Sequence, residues 1–457
     1  MFVSRVILYY NSNKFFGDTL CNIVMLYLRS QSHEYQEEIR VSIGYACQLI
    51  GVPGTELSRC ILKNASEDKL RILIEQNLKS FDTMLDYNIK HDIHLFRISS
   101  DIIPFGSHPS NHLKWWDEFE DIFSAIGEKI RSNKIRVSMH PGQYTVLNSP
   151  DQAIVQNAIM DLEYHDHFLT ALGMDQTSKM VLHIGGVYGD KKEASKRFVE
   201  NFKKLSDSIK SRLILENDDK SYTVSEVLAI AHQTGSPVVF DNLHNEINPS
   251  ISNRSEQEWM LECKKTWKPE DGRQKIHYSQ QGKTSPIGGH SETVFLKDFE
   301  AFYPYVPPDT DIMLEVKDKN LSAMKCINVI CLNATAAKLE VEWARYKYYV
   351  LSRSAKIYTE IRKLLKDKKA PVAKEFYTLI ETAMLLEEDI GAEVNAAEHV
   401  WGYISKDSTA TEKNRYEKLL NGYRKKENAI APVKKHLLSC AIKRNLEYLI
   451  NSYYFYI

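Results

Sequence analysis

One pattern recurs along this chain and leaves few folds open to it: a short apolar run ends in a histidine or a carboxylate, and a helical segment follows before the next run. Leu213–Leu215 ends in Glu216, and Val238–Phe240 ends in Asp241, with His244 close behind. Ile135–Met139 runs into His140, Val181–Leu182 into His183, Lys275–Ile276 into His277 and Asp311–Leu314 into Glu315. Runs this short and this uniformly apolar are those of parallel strands buried on both faces, and parallel strands need crossover connections. The segment between Glu216 and Val238 supplies one, with Val224, Val227, Leu228 and Ala231 spaced along a single helical face.

Taken in order, RVSIGYA is a first strand ending near Tyr45, His94–Ile98 a second, and six more follow to Ile312–Leu314. Helices are expected over Asp68–Asn88, Trp115–Ile130, Gln152–Leu172, Lys192–Ile209, Thr223–His232, Glu256–Trp267 and Phe295–Phe302. Eight strand–helix units in roughly 280 residues have the size and rhythm of a (β/α)8 TIM barrel. An open doubly wound sheet shares the alternation, but ligand-type residues on six strand ends converge most easily if the sheet closes on itself. The barrel is assigned to residues 40–334 and preceded by an extension over residues 1–39. After Lys319 the strand signal ceases, and residues 335–457 read as an all-α domain with breaks near Ala370–Pro371, Gly391, Gly402 and Gly422.

A chain of 457 residues that is 43% hydrophobic and 26% charged can bury a large core in two domains. Its net charge of −1 confines any nucleic-acid contact to a local patch. The cationic runs Arg362–Lys369 and Arg424–Lys426 suit a solvated helix face or added contact with nucleic acid. Seven scattered cysteines without a CxxC pair point away from a disulfide framework or structural zinc, and towards a reducing cytoplasm. No apolar run is long enough to span a membrane. Leu20–Leu28 is too short, and too poor in a cleavage site, for a secretory signal.

A single histidine at a strand end is usually a packed or capping imidazole. His140, His183, Glu216, Asp241, His244, His277, His290 and Glu315 together are harder to explain that way, because in a barrel they gather on the face that carries active sites. Imidazoles and carboxylates without thiolates suit Zn, Mn or Fe. Eight donors exceed one ion's needs, so two or three ions with a bridging carboxylate are expected, the arrangement that serves phosphodiester cleavage. HPGQYTVLNSP adds Gln143 and Tyr144 on a loop beside these donors, an amide and an aromatic suited to entering a base stack. A metal-dependent sugar isomerase would carry similar ligands but leaves that pair unexplained. A damage-binding module with a vestigial barrel would be marked by lost ligands, and none of the eight is missing.

GYACQ, SSDIIPFGSHP, HPGQYTVLNSP, LHIGGVYGDKKEA, LENDDKSYT, DNLHNEINP, KIHYSQQ, GGHSE and MLEVKDK together resemble the UV damage endonucleases, over about residues 40–334. The resemblance implies an endonuclease IV-like, metal-dependent barrel that nicks double-stranded DNA immediately 5′ to cyclobutane dimers and 6-4 products, and some other lesions such as abasic sites. Such a cut leaves a 3′-hydroxyl and a 5′-phosphate. It implies three divalent ions, manganese foremost, with zinc or magnesium as alternatives. His140, His183 and Glu216 would hold one; Glu216, Asp241, His277 and Glu315 a second; His244 and His290 would contribute to a third. Glu216, Asp241, Glu315, His277 and Lys275 become the catalytic set, and Lys275 matches a lysine that can be carboxylated. Gln143, Tyr144, Tyr45 and His108 become the lesion contacts, although Leu49 stands where some members carry an asparagine. EWARYKYYVLSRS and NAAEHVWGY resemble the YbgA-like bacterial domain of unknown function, and three tasks are open to the helical domain: to contact flanking DNA, to recruit another protein or to cover the barrel. A nucleoid-associated cytoplasmic enzyme is the corresponding expectation.

Overall fold

Each of the eight apolar runs forms a strand of four or five residues: β1 (Ile43–Ala46), β2 (Leu95–Ile98), β3 (Arg136–Met139), β4 (Met180–His183), β5 (Leu213–Glu216), β6 (Val238–Asp241), β7 (Gln274–Tyr278) and β8 (Thr310–Leu314). The computed structural model describes residues 41–331 and 334–457, and the extension expected over residues 1–39 lies outside them. All the pairings are parallel, and the strands join in sequence order with β8 returning to β1, so the sheet is a closed barrel. Strand parity divides the side chains. Ile43, Tyr45, Phe96, Val137, Leu182, Leu215, Phe240 and Ile276 point outwards into one core shared with the surrounding helices. Val181, Ile214 and Val239 form one apolar tier inside the barrel, and Ala46, Leu95 and Met313 another.

The helices begin where side chains can satisfy their first amides. Ser66 caps Glu67–Lys90, which buries Leu70, Ile74, Leu78, Phe81 and Leu85 at helical spacing. Thr223 with Glu226, and Ser255 with Glu258, make capping boxes. The single helix expected over Lys192–Ile209 is instead two, Lys191–Lys204 and Asp207–Arg212. Ser206 restarts the chain by accepting from the amide of Ile209. The breaks expected near Gly391, Gly402 and Gly422 fall beside them: the helices are Ile390–Ile404, Ala410–Arg424 and Ala431–Lys443, the first two starting at the caps Asp389 and Thr409. The break at Ala370–Pro371 does separate Ala355–Leu364 from Ala373–Met384.

The helical region packs on the barrel's flank. Leu296 and Leu321 of the barrel share a core with Tyr346, Phe376 and Tyr377. The Arg345 guanidinium lies 5.5 Å from the Tyr87 ring on the barrel's first helix. No described helix is long and apolar enough to cross a membrane.

Candidate metal centre

Where β3 to β8 end, seven of the eight expected donors converge. Glu216, almost wholly buried, stands at their centre. Its Oε2 is 3.1 Å from His140 Nε2 and 3.4 Å from His183 Nε2, and its Oε1 is 2.6 Å from His277 Nδ1. His277 Nδ1 is also 3.1 Å from Glu315 Oε1. Three sets of donors come within 4.8 Å of one another: His140, His183 and Glu216; Glu216, Asp241 and His244; Glu216, His277 and Glu315. Glu216 belongs to all three. His244 therefore groups with Asp241 and Glu216, whereas His290 joins none of these sets, its Nε2 standing 3.9 Å from Glu315 Oε2.

The surroundings aim these groups. The His244 ring turns Nδ1 to the carbonyl of Asn217, 2.9 Å away, and the His140 ring turns Nδ1 to the carbonyl of Pro141, also at 2.9 Å. The Nε2 of His140 is thereby left for the centre, whereas His244 brings Nδ1 itself to 3.8 Å from Glu216 Oε1 and 3.7 Å from Asp241 Oδ1. Asn217 ties β5 to β6 by donating to the carbonyl of Asp241 and accepting from its amide. Ser100 donates to the carbonyl of His140 and bonds in turn with the buried His165. Burial by itself would raise the Glu216 carboxyl, but His277 and His183, together with the bond from His140, hold it well below the usual range. Burial raises Asp241, reinforced by Glu216 and Glu315. His244 loses to burial but gains more from Asp241 and Glu216, and rises to about 9.

These are the electrostatics of a site short of positive charge. Asp241 Oδ2 is buried without a hydrogen-bond partner, a cost that a bound cation removes. Donors of nitrogen and oxygen around a shared carboxylate fit divalent transition ions.

The UV-endonuclease UvdE family model matches residues 49–344 of the chain, about two thirds of it. The chain belongs to the UvdE family. As a UvdE member it is an endonuclease. Among the relatives is a UV DNA damage endonuclease of Clostridium perfringens, 41% identical over 388 residues that make up 83% of this chain and 92% of that one. Another, from Bacillus cereus, is 36% identical over 58% of this chain and 84% of its own length. The crystal structure of SacUVDE shares 38% identity with a TM-score of 0.61, covering 64% of this chain and 98% of that chain. Residues 347–457 match a second family, a protein of unknown function (DUF1722).

Around the UvdE centre the remaining expected residues divide. Gln143 and Tyr144 stand on the loop after His140, and Tyr144 is 84% exposed, free to meet a ligand. His108 lies exposed in the loop after β2, its Nδ1 2.8 Å from the Ser110 hydroxyl, and it joins none of the donor sets. Tyr45 is a correction. It is fully buried on the outward face of β1, and its hydroxyl donates to Asn88 at 2.6 Å, so it cannot touch a lesion at the mouth. Lys275 points inwards two residues before His277, buried with Nζ unpartnered; burial and the nearby Arg136 push its ammonium well below the usual lysine range. Sequence reasoning missed Arg97, an inward residue of β2 that is ion-paired with Glu315. A cation inside the apolar run LFRIS was the signal that could have revealed it.

Proposed function

We propose that this chain is a DNA repair endonuclease that cuts the backbone of UV-damaged duplex DNA immediately 5′ to cyclobutane dimers and 6-4 products, and at abasic sites. The products would be a 3′-hydroxyl and a 5′-phosphate, and the bacterial nucleoid the place of work. The observation that carries the reading is Glu216 shared by three donor sets at the barrel mouth, beside an exposed Gln143–Tyr144 pair.

His140 and His183, Asp241 and His244, and His277 and Glu315 would hold the ions, with Glu216 common to all and His290 adding to the set through its approach to Glu315. Divalent ions there, manganese foremost, would acidify a water and offset the charge that develops on phosphoryl and leaving oxygens. Arg97 would keep the Glu315 carboxylate ionised and oriented. Burial that lowers Lys275 favours the uncharged amine, the form that would add to carbon dioxide: its nitrogen would bond to carbon, release one proton and leave a carbamate, one more acid facing the centre. Gln143 and Tyr144 would fill the space left by extruded bases, which makes weak stacking at a photoproduct the signal for selection.

The test is conversion of irradiated supercoiled plasmid to the open circle, with the cut mapped on a duplex that holds one defined photoproduct. Nicking should require irradiation, stop with chelator and return with Mn2+. Equal nicking of unirradiated plasmid, or nicking indifferent to chelator, rejects the proposal.

A further inference from the structure

His290 stands apart from the other donors in how it is held. It lies in the connection from β7 to the helix Leu296–Phe302, where Gln281 pairs with His290, Gly282 donates to the carbonyl of Gly289 at 2.7 Å, and Ser291 donates to the carbonyl of Gln280 at 2.8 Å. The outer part of this hairpin is bathed in solvent, and Ile287 is 81% exposed. Such a segment is placed by its ends and not by a core of its own.

The limb after His290 is anchored by the chain beyond Glu315, where the amides of Lys317 and Asp318 donate to the carbonyls of Ser291 and Glu292, and by Phe295, which exchanges bonds with Gln280. The end of the same limb is also held from outside the barrel. The amide of Leu296 donates to the Glu381 carboxylate at 3.0 Å and 3.3 Å, and Glu381 belongs to the helical region, on Ala373–Met384. Glu381 also accepts from Lys325 Nζ at 2.9 Å, and the same ammonium donates to the Thr293 hydroxyl at 2.8 Å. Ser322 takes the amide of Val294 at 2.9 Å, and Ser291 donates to the carbonyl of Thr293 at 2.8 Å. Lys325 and Glu381 are both buried. Without Glu381, the Lys325 cation loses the carboxylate that it pairs with at 2.9 Å and is left with the more weakly coupled Asp318, a penalty inside the protein.

We infer that the helical domain clamps the loop that presents His290 to the metal centre, with Glu381 as the positioning residue. This assigns the domain a task at the mouth that touches neither DNA nor a partner protein. The inference rests on the reading that His290 helps hold a divalent ion.

The experiment measures Mn2+ binding to the full chain by calorimetry, beside hydrogen exchange of residues 293–296, in wild type and three variants. In Glu381→Gln, the weakest-held ion should bind about tenfold less tightly, the loss typical when support behind a metal ligand is removed. The amides of 294–296 should exchange faster, while kcat at saturating Mn2+ is retained. Lys325→Met/Glu381→Leu replaces the buried pair with apolar packing, so it should recover thermal stability without recovering Mn2+ affinity. Lys374→Ala, which removes only the exposed pair with Glu300 at the same interface, should behave as wild type. A Glu381→Gln chain with a lowered Tm and an unchanged Mn2+ titration overturns the clamp and leaves the metal centre standing. A wild-type chain that binds no Mn2+ overturns the metal centre, and the clamp with it.

Discussion

Glu216 carries the largest burden of any single side chain here, because its two oxygens face different neighbours and every donor set includes it. Its ionisation is bought from the histidines around it, so those groups and the acid define one another. Tyr144 is the opposite case, a large ring that the protein leaves in water. Stacking on a base is worth about 1–3 kcal/mol, so Tyr144→Ala should weaken binding to a photoproduct-bearing duplex by roughly tenfold to a hundredfold. Mn2+ binding should not change. Equal affinity for damaged duplex in both forms would sink the role given to this ring. Residue identity made the converging acids and imidazoles legible in sequence, since one of them at a strand end is ordinary but a series of them at successive strand ends is hard to explain as packing. Tyr45 misled because a strand's parity decides which way a side chain points, and one residue's shift turns the barrel's mouth into its outer core.

Elements explain how donors far apart in sequence arrive together. Each strand delivers its last inward residue to the same rim, which requires β1 and β2 to approach closely enough to complete the circle. Gly44 marks that approach, since a Cβ there would come 2.1 Å from the carbonyl oxygen of Leu95. Gly44→Ala should therefore destabilise the chain by about 3 kcal/mol, as overpacking against a backbone that cannot yield does. Denaturant unfolding reads this directly, and a change below about 1 kcal/mol would mean that β1 moves freely. Helix starts were partly legible: Thr223 and Ser255 announce their capping boxes, whereas Ser206, buried in a run of helical periodicity, did not announce the break it makes. The breaks near the glycines at 391, 402 and 422 were legible, although each glycine lies just inside a helix, where packing tolerates a cost of about 1 kcal/mol.

At the scale of the whole molecule, the join between barrel and helical region is polar as well as apolar. Arg345 sits between the rings of Tyr87 and Tyr453 and donates to the Tyr453 hydroxyl at 3.0 Å. Next to Tyr87, His91 has a buried Nε2 without a partner. Burial, then Arg345 and Lys90, lower His91 from 6.5 to about 4. The unfolded chain therefore takes up a proton that the folded chain refuses between those values. The resulting penalty is absent above pH 6.5 and grows as pH falls towards about 4. Thermal unfolding followed from pH 7 to pH 4.5 should show a loss of stability that His91→Asn reduces. Parallel curves for the two proteins would remove His91 as the cause.

The sequence by itself determined the repeating strand–helix order, the closed barrel and the chemical character of the rim, because periodicity and residue type are local properties. Only the tertiary structure decided that His244 joins Asp241 and not His290, that Arg97 faces Glu315, and that Glu381 reaches the loop before Leu296. Those contacts join residues from different strands and from different regions of the chain. Register between strands and the docking of the helical region set such distances, and neither is encoded in the neighbours of a single residue.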